Sequence, residues 1–302
     1  MIDRTRSVTW QAGDNAAAAL TAISPAAQAR PSMVPEEYHY NPLGTVHGGV
    51  IATLLDLSMA DAVDLALPAG SHAVRLELKV NYLRGLTKVS GRVSGNAVVV
   101  QAGRRVAAAT AQVVDANGRI FATGSATYLV TDRPAGIAGP AGEYHFAWSD
   151  PAGLAAAGMG MPGIDFLYAM QRQTLPSPPA LMLLGITTDA AVPGRVAMTM
   201  SQGGHLLDAT GHLHGGMIAT LLDSVMGCAV HSTLPLGRGY TKLEIRVSFI
   251  RPVTPADGGV RSVGTVLHAG NQVASVEARA TDAAGTLVAT ASSTCLVFDV
   301  RA

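Results

Sequence analysis

Charge is scarce in this chain. Only 14% of its 302 residues are Asp, Glu, Lys or Arg, and the two signs balance at 21 each. No basic excess is present to form a face for nucleic acid or an anionic membrane, so neither is an expected partner. Cysteine is nearly absent. Cys228 and Cys295 have no close partner in sequence and no metal-ligand spacing around them. That excludes a disulfide framework and fits a reducing, cytoplasmic compartment. No apolar run reaches the ~18 uninterrupted residues that a membrane span requires. The first residues, MIDRTRSVTW, lack the apolar stretch of a secretory leader. Hydrophobic residues are abundant at 48%, and the length allows two ordinary packed cores.

The chain is written twice. VHGGVIATLLDLSMADAV begins at Val46 and LHGGMIATLLDSVMGCAV at Leu213, an offset of 167 residues. With that offset His47 pairs with His214, Asp56 with Asp223, Arg84 with Arg251 and Asp115 with Asp282. From Gly44 to Val130 no gap is needed, and roughly two positions in five are identical. Solenoid repeats run ~20–50 residues, so a period this long is a whole domain. The expected organisation is a first domain over 1–135, a linker with a short helix over 136–180, and a second domain over 181–302. The linker is rich in Pro, Gly and Ala, and its helix candidate IDFLYAMQRQ starts at Ile164. The first copy has no counterpart of that helix and reads as shortened at its start.

Each copy has one long helix, from Gly48 to about Leu67 and from Gly215 to about Leu234, stopped by Pro68 and Pro235. Four Val-rich strands follow in each copy, separated by Gly-containing turns. One helix followed by a run of antiparallel strands reads as α+β. The helix is apolar almost all round at its N-terminal half, the mark of a buried helix with a sheet wrapped about it.

Two features of the helix carry chemistry. The Gly-Gly at its start lets a ligand approach unpaired backbone N–H groups at the positive end of the dipole. A carboxylate, Asp56 or Asp223, lies mid-helix among Leu, Ala, Thr and Met, where desolvation is costly and a proton-accepting role is suited. Asp61 and Asp64 of the same helix become Cys228 and His231 in the second copy, whereas Asp56 is kept as Asp223. Nine helical residues turn through ~900°, a net half turn, so His47 and Asp56 face opposite ways. The Gly-Gly of one copy must therefore meet the Asp of the other. One composite site combines His47 and Gly48 with Asp223; the other combines His214 and Gly215 with Asp56.

NPLGTVHGG from Asn41, with an acid nine residues after the His, resembles the hot-dog-fold acyl-CoA thioesterases of the phenylacetate type. The resemblance covers both repeats. It implies a double hot-dog, each sheet wrapped round its helix, that hydrolyses acyl-CoA without metal or redox cofactor. It implies a thioester carbonyl polarised by Gly48 N–H and Asn41, with Asp223 as general base or nucleophile. A homodimer of such chains is a further expectation.

Departures from the family pattern are informative. Asn41 becomes Asp208 in the second copy, and an ionised Asp cannot donate to an oxyanion, so the second site is expected to be impaired. Where relatives often carry a water-placing Ser or Thr on the first strand, this chain has Arg75 and Lys242. These read either as cations for CoA phosphates or as solvated strand-end charges. Gly103-Arg104 and Gly270-Asn271 match a turn that borders CoA in the family. GMGMPG from Gly158 is no dinucleotide fingerprint, because Pro162 interrupts it and no strand precedes it. The rival readings are an acyl-CoA-binding module without turnover and an acyl-thioester hydratase or dehydratase.

Overall fold

The structure is a computed structural model that describes residues 6–10, 30–133 and 144–300 other than 202 and 209, with backbone alone at 6–10, 144 and 145. The expected shortening of the first copy falls largely on residues 11–29, outside those described. In the first copy a short strand β2 (Ser32–Met33) precedes helix α1 (Gly48–Ala66). Strands β3 (Ser71–Tyr82), β4 (Val93–Ala102), β5 (Val106–Asp115) and β6 (Ile120–Asp132) follow. In the second copy β8 (Ile186–Val192) and β9 (Arg195–Met200) precede α5 (Gly215–His231). Then come β10 (Arg238–Phe249), β11 (Val260–Ala269), β12 (Val273–Thr281) and β13 (Leu287–Asp299). The α+β hot-dog architecture read from the sequence is the observed one.

The two copies share one antiparallel sheet of 11 strands, in the order β2-β4-β5-β6-β3-β10-β13-β12-β11-β9-β8. They join where β3 pairs β10, from Glu244 opposite Asn81 to Ser248 opposite Glu77. Those two pairs are images of each other under the repeat, so the pseudo-twofold axis passes through Lys79 opposite Arg246. Like charges facing across a ladder are unfavourable, and Glu77 offsets this by accepting from Arg246 at 2.8 Å.

Inside this sheet α1 and α5 cross at their first turns. A methyl on Gly49 would sit 2.4 Å from Thr220 Cα, and one on Gly216 would sit 2.5 Å from Thr53 Oγ1. Glycine is required at both places because the helices touch backbone to side chain, with Thr53 and Thr220 fully buried. The central stretch of each helix is buried on every side, because sheet covers one face and the partner helix the other.

The segment read as a linker is more structured than its composition suggests. Strand β7 (Tyr144–Trp148) pairs with β1 (Arg6–Trp10), and helices α2 (Pro151–Met159), α3 (Gly163–Gln171) and α4 (Pro179–Leu183) follow. Phe166, Leu167 and Met170 of α3 are buried in the common core, and Phe166 meets His231 of α5 edge-on at 5.5 Å. Proline at the start of α2 and α4 fits positions where no N–H partner is needed. Among the described residues no helix is long and apolar enough to cross a membrane.

Gly49→Ala and Gly216→Ala are each expected to force the helix crossing apart, at a cost of about 1–3 kcal/mol or more. Urea unfolding monitored by circular dichroism checks this; an unchanged midpoint in both variants would contradict the close crossing.

Candidate active site

Each helix is capped by the histidine before its Gly-Gly. His47 Nδ1 accepts from Gly49 N–H at 3.1 Å, and His214 Nδ1 accepts from Gly216 N–H at 3.0 Å. The half-turn argument then plays out in space. Asp223 points away from its own cap and accepts from Gly49 N–H of the other copy at 3.1 Å, with His47 Nδ1 3.2 Å away. Asp56 likewise stands 3.9 Å from His214 Nδ1. Both carboxylates are buried, at 0% and 2% exposure. His47, Gly48 and Asp223 come together at one end of the helix crossing, and His214, Gly215 and Asp56 at the other.

Arg75 and Lys242 are not solvated strand-end charges: both turn inward onto the buried aspartates. Arg75 Nε donates to Asp56 Oδ1, and Lys242 Nζ forms an ion pair with Asp223 Oδ1 at 2.7 Å. Lys242 also donates to the Asp223 backbone carbonyl. A β-bulge explains the correction. Strict alternation from the buried Leu78 and Val80 would turn Arg75 outward, but the register of β3 shifts between Arg75 and Glu77, and that of β10 between Lys242 and Glu244. The extra residues, Leu76 and Leu243, turn outward at 39% and 40% exposure, and the cations turn in.

From here the two sites differ. A cavity of about 480 Å³ opens onto Gly48 and Asp223. The first copy contributes the Asn41–Gly48 loop and Tyr82–Leu86, the second copy Asp223 to His231 of α5, and the intervening helices Met159, Met161, Phe166 and Met170. Gly48 stays accessible, and among the described residues nothing accepts its N–H. Gly215 is buried, and a methyl there would sit 2.6 Å from Arg75 Cδ. The arginine stem lies over the second Gly-Gly. Among the described residues no cation stem lies over the first, where the nearest side-chain atoms are Tyr82 Oη and Asp223 Oδ2. His47 Nε2 meets Ser224 Oγ at 3.1 Å, whereas His214 Nε2 faces Arg75 Nη2 at 3.5 Å.

Asn41 and Asp208 turn out to build the same loop. Asn41 Oδ1 accepts from Leu43 N–H at 2.8 Å and Thr45 N–H at 3.4 Å. Asp208 Oδ1 accepts from the equivalent Thr210 N–H at 2.8 Å and His212 N–H at 3.3 Å. The Asn41 amide nitrogen donates to Thr45 Oγ1 at 3.0 Å. Burial works to raise the Asp208 pKa, but the Thr210 hydrogen bonds, His214 and Arg75 hold it below its ordinary value. An acceptor is what this loop needs, which is why Asn and Asp both serve there. Neither of the Gly103-Arg104 and Gly270-Asn271 turns lines the cavity, but Asn271 accepts from Arg238, which does. The sequence reading missed Tyr82, Ser224 and the helix residues of the cavity wall; the Ser224/Leu57 and Tyr82/Phe249 differences between the copies were the available signal.

The Thioesterase superfamily model matches residues 43–122 and again 210–289, together just over half of the chain. The chain belongs to this superfamily. The tesB protein of Mycobacterium avium subsp. paratuberculosis is similar in fold, with a TM-score of 0.59 and 16% identity over 93% of this chain and 98% of that one. A hot-dog protein of unknown function from Alicyclobacillus acidocaldarius has a TM-score of 0.58 and 17% identity, covering 91% and 95%. A presumed esterase of Halobacterium salinarum is 29% identical over 126 residues, 39% of this chain and 83% of the relative.

In this thioesterase the capping histidines are held neutral. His47 is brought down to about 4, mainly by burial and further by Lys242, with Asp223 opposing. His214 is also brought down to about 4, by burial and then Arg75, against Asp56 and Asp208. A consistent bond set has His47 Nε2–H donating to Ser224 Oγ, whose hydroxyl donates to the Thr220 carbonyl at 2.7 Å. Unfolding frees both rings to their ordinary value near 6.5. Between pH 6.5 and 4 the unfolded chain therefore binds protons that the folded chain refuses, and stability falls as pH falls. With His231, which burial also brings down to about 4, there are three such groups, and the slope approaches about 4 kcal/mol per pH unit near pH 5. Urea unfolding at pH 7, 6 and 5 measures it, and a flat profile would mean that these rings are charged in the fold.

Proposed function

We propose that this thioesterase hydrolyses acyl-CoA to free acid and CoA, at one working site per chain, the one built from Gly48 and Asp223. The observation that carries this reading is that Gly48, whose N–H has no acceptor among the described residues, and the buried Asp223 carboxylate of the other copy stand side by side on one largely apolar cavity. The thioester carbonyl oxygen accepts from Gly48 N–H at the start of α1, where backbone and dipole favour developing negative charge. Asp223 takes a proton from water as its oxygen attacks the carbonyl carbon, and collapse of the tetrahedral adduct releases CoA thiolate. Direct attack by Asp223 to give an anhydride uses the same geometry.

Lys242 neutralises Asp223 Oδ1 from behind while Oδ2 stays on the Gly49 side. A carboxylate has about four acceptor directions, so these partners leave capacity for water. The acyl group lies against Met159, Met161, Phe166 and Ile51, which suits an uncharged aliphatic or aromatic chain. Arg84 and Arg238 border the same cavity and suit the phosphates of CoA. The hydratase alternative is disfavoured by His47, whose ring nitrogens are both engaged, one by Gly49 N–H and one by Ser224.

CoA release from acetyl-, octanoyl- and phenylacetyl-CoA tests the reading. Asp223→Asn is expected to lower kcat by about a thousandfold or more. Asp56→Asn is expected to leave kcat per folded molecule within about twofold, while the unpaired Arg75 costs about 3–5 kcal/mol of stability. Equal losses of activity in both would defeat the one-site reading. Tight CoA binding without turnover of any thioester would mark a binding module.

Met161→Trp is expected to shorten the cavity. The kcat/KM for octanoyl-CoA should fall about tenfold or more and that for acetyl-CoA by less than about threefold. Equal effects on both substrates would remove the α2–α3 segment from the acyl wall.

A further inference from the structure

The working site has one polar group for which the scheme above finds no use. Tyr82, the last residue of β3, lines the cavity beside Gly48. A methyl built on Gly48 would sit 3.0 Å from Tyr82 Oη and 3.0 Å from Asp223 Oδ2. The phenol and the carboxylate thus flank the helix start from two sides. Tyr82 Oη is buried, and among the described residues it has no hydrogen-bond partner. A buried hydroxyl left unpaired is costly, so its presence calls for an acceptor that arrives with something else.

Three further observations point the same way. The equivalent residue in the closed site is Phe249, so the fold accepts a ring without the hydroxyl at this position. The Asn41 amide, the side-chain donor that the family resemblance implies, already gives one of its two N–H groups to Thr45. Burial pushes the Tyr82 phenol well above its ordinary pKa, with Asp223 and Glu244 adding to the rise, so the O–H keeps its proton at any working pH.

We propose that Tyr82 is a catalytic residue whose hydroxyl donates to the thioester oxygen alongside Gly48 N–H, completing a two-donor oxyanion site that only the first copy possesses. The proposal rests on the thioesterase reading and adds a donor to it. The oxygen gains charge as the tetrahedral adduct forms, and the phenol shares its hydrogen without transferring it. The bond is therefore stronger in the adduct than in the bound substrate, and its loss falls on kcat more than on KM.

Tyr82→Phe tests this, because Phe249 already shows that the ring alone is accommodated. The expected result is a kcat lowered about a hundredfold for octanoyl-CoA, KM within about threefold, and an unchanged or raised Tm. A second measurement reads the hydrogen bond without turnover. In the Asp223→Asn background, the infrared carbonyl stretch of bound ¹³C-labelled octanoyl-CoA should lie at lower wavenumber than in Asp223→Asn/Tyr82→Phe. A Tyr82→Phe enzyme within about threefold of wild-type kcat, or a carbonyl band that does not move between the two backgrounds, overturns the proposal. If wild type hydrolyses no thioester, the activity reading fails separately, and the infrared comparison alone then decides for or against the hydroxyl.

Discussion

Everything in this molecule depends on how closely α1 and α5 cross. Gly49 against Thr220 and Gly216 against Thr53 set that approach. Asp223 lies one turn beyond Thr220 on α5 and so reaches the start of α1; Asp56 does the same beyond Thr53. A side chain larger than hydrogen at either glycine would separate the helices by more than a hydrogen bond can span. The β3–β10 joint holds the same axis at the sheet, so the helices and the ladder fix one relative placement of the copies twice over. Precision of this kind comes from packed backbone, and catalytic carboxylates need it.

Placing both copies in one chain removes the symmetry that two identical subunits would impose. A single substitution can then act on one site only. At the bulge, Arg75 and Lys242 do the same electrostatic work, each facing a buried aspartate. They differ in shape. The Arg75 stem lies over Gly215, whereas the Lys242 stem does not reach Gly48, which Tyr82 and Asp223 approach instead. A buried ion pair adds little over a packed apolar contact, but breaking it is expensive. The closed site therefore persists as a structural element, and Asp56 is retained for a reason that does not require it to meet a substrate.

The repeat, the two long helices and the approach of His-Gly-Gly of one copy to the Asp of the other were legible because they follow from spacing and helix geometry. Four strands in each copy were legible from their Val-rich runs. The inward turn of Arg75 and Lys242 was hidden because a bulge reverses the alternation on which strand reading relies, and Leu76 and Leu243 look like core residues until the register is known. The loop bonds of Asn41 were hidden for a different reason. Its side chain is used locally, by Leu43 and Thr45, and local turn chemistry does not distinguish Asn from Asp. The roof of the cavity was hidden because Pro-, Gly- and Ala-rich composition says little about a segment whose order comes from Phe166, Leu167 and Met170 entering the common core.

That roof bears on the proposal of a single working site. The α2–α3–α4 segment lies between the two copies in sequence and contributes to the wall of the cavity that opens on Gly48. An oxyanion donor is most effective where water is excluded and the dielectric is low. The apolar wall of Met159, Met161, Phe166 and Met170 supplies such surroundings to Gly48, Tyr82 and Asp223 together. At the other end the Arg75 stem packs directly on the buried Gly215. Both ends of the helix crossing are thus screened, at one end by a wall with room beneath it and at the other by a side chain laid on the glycine.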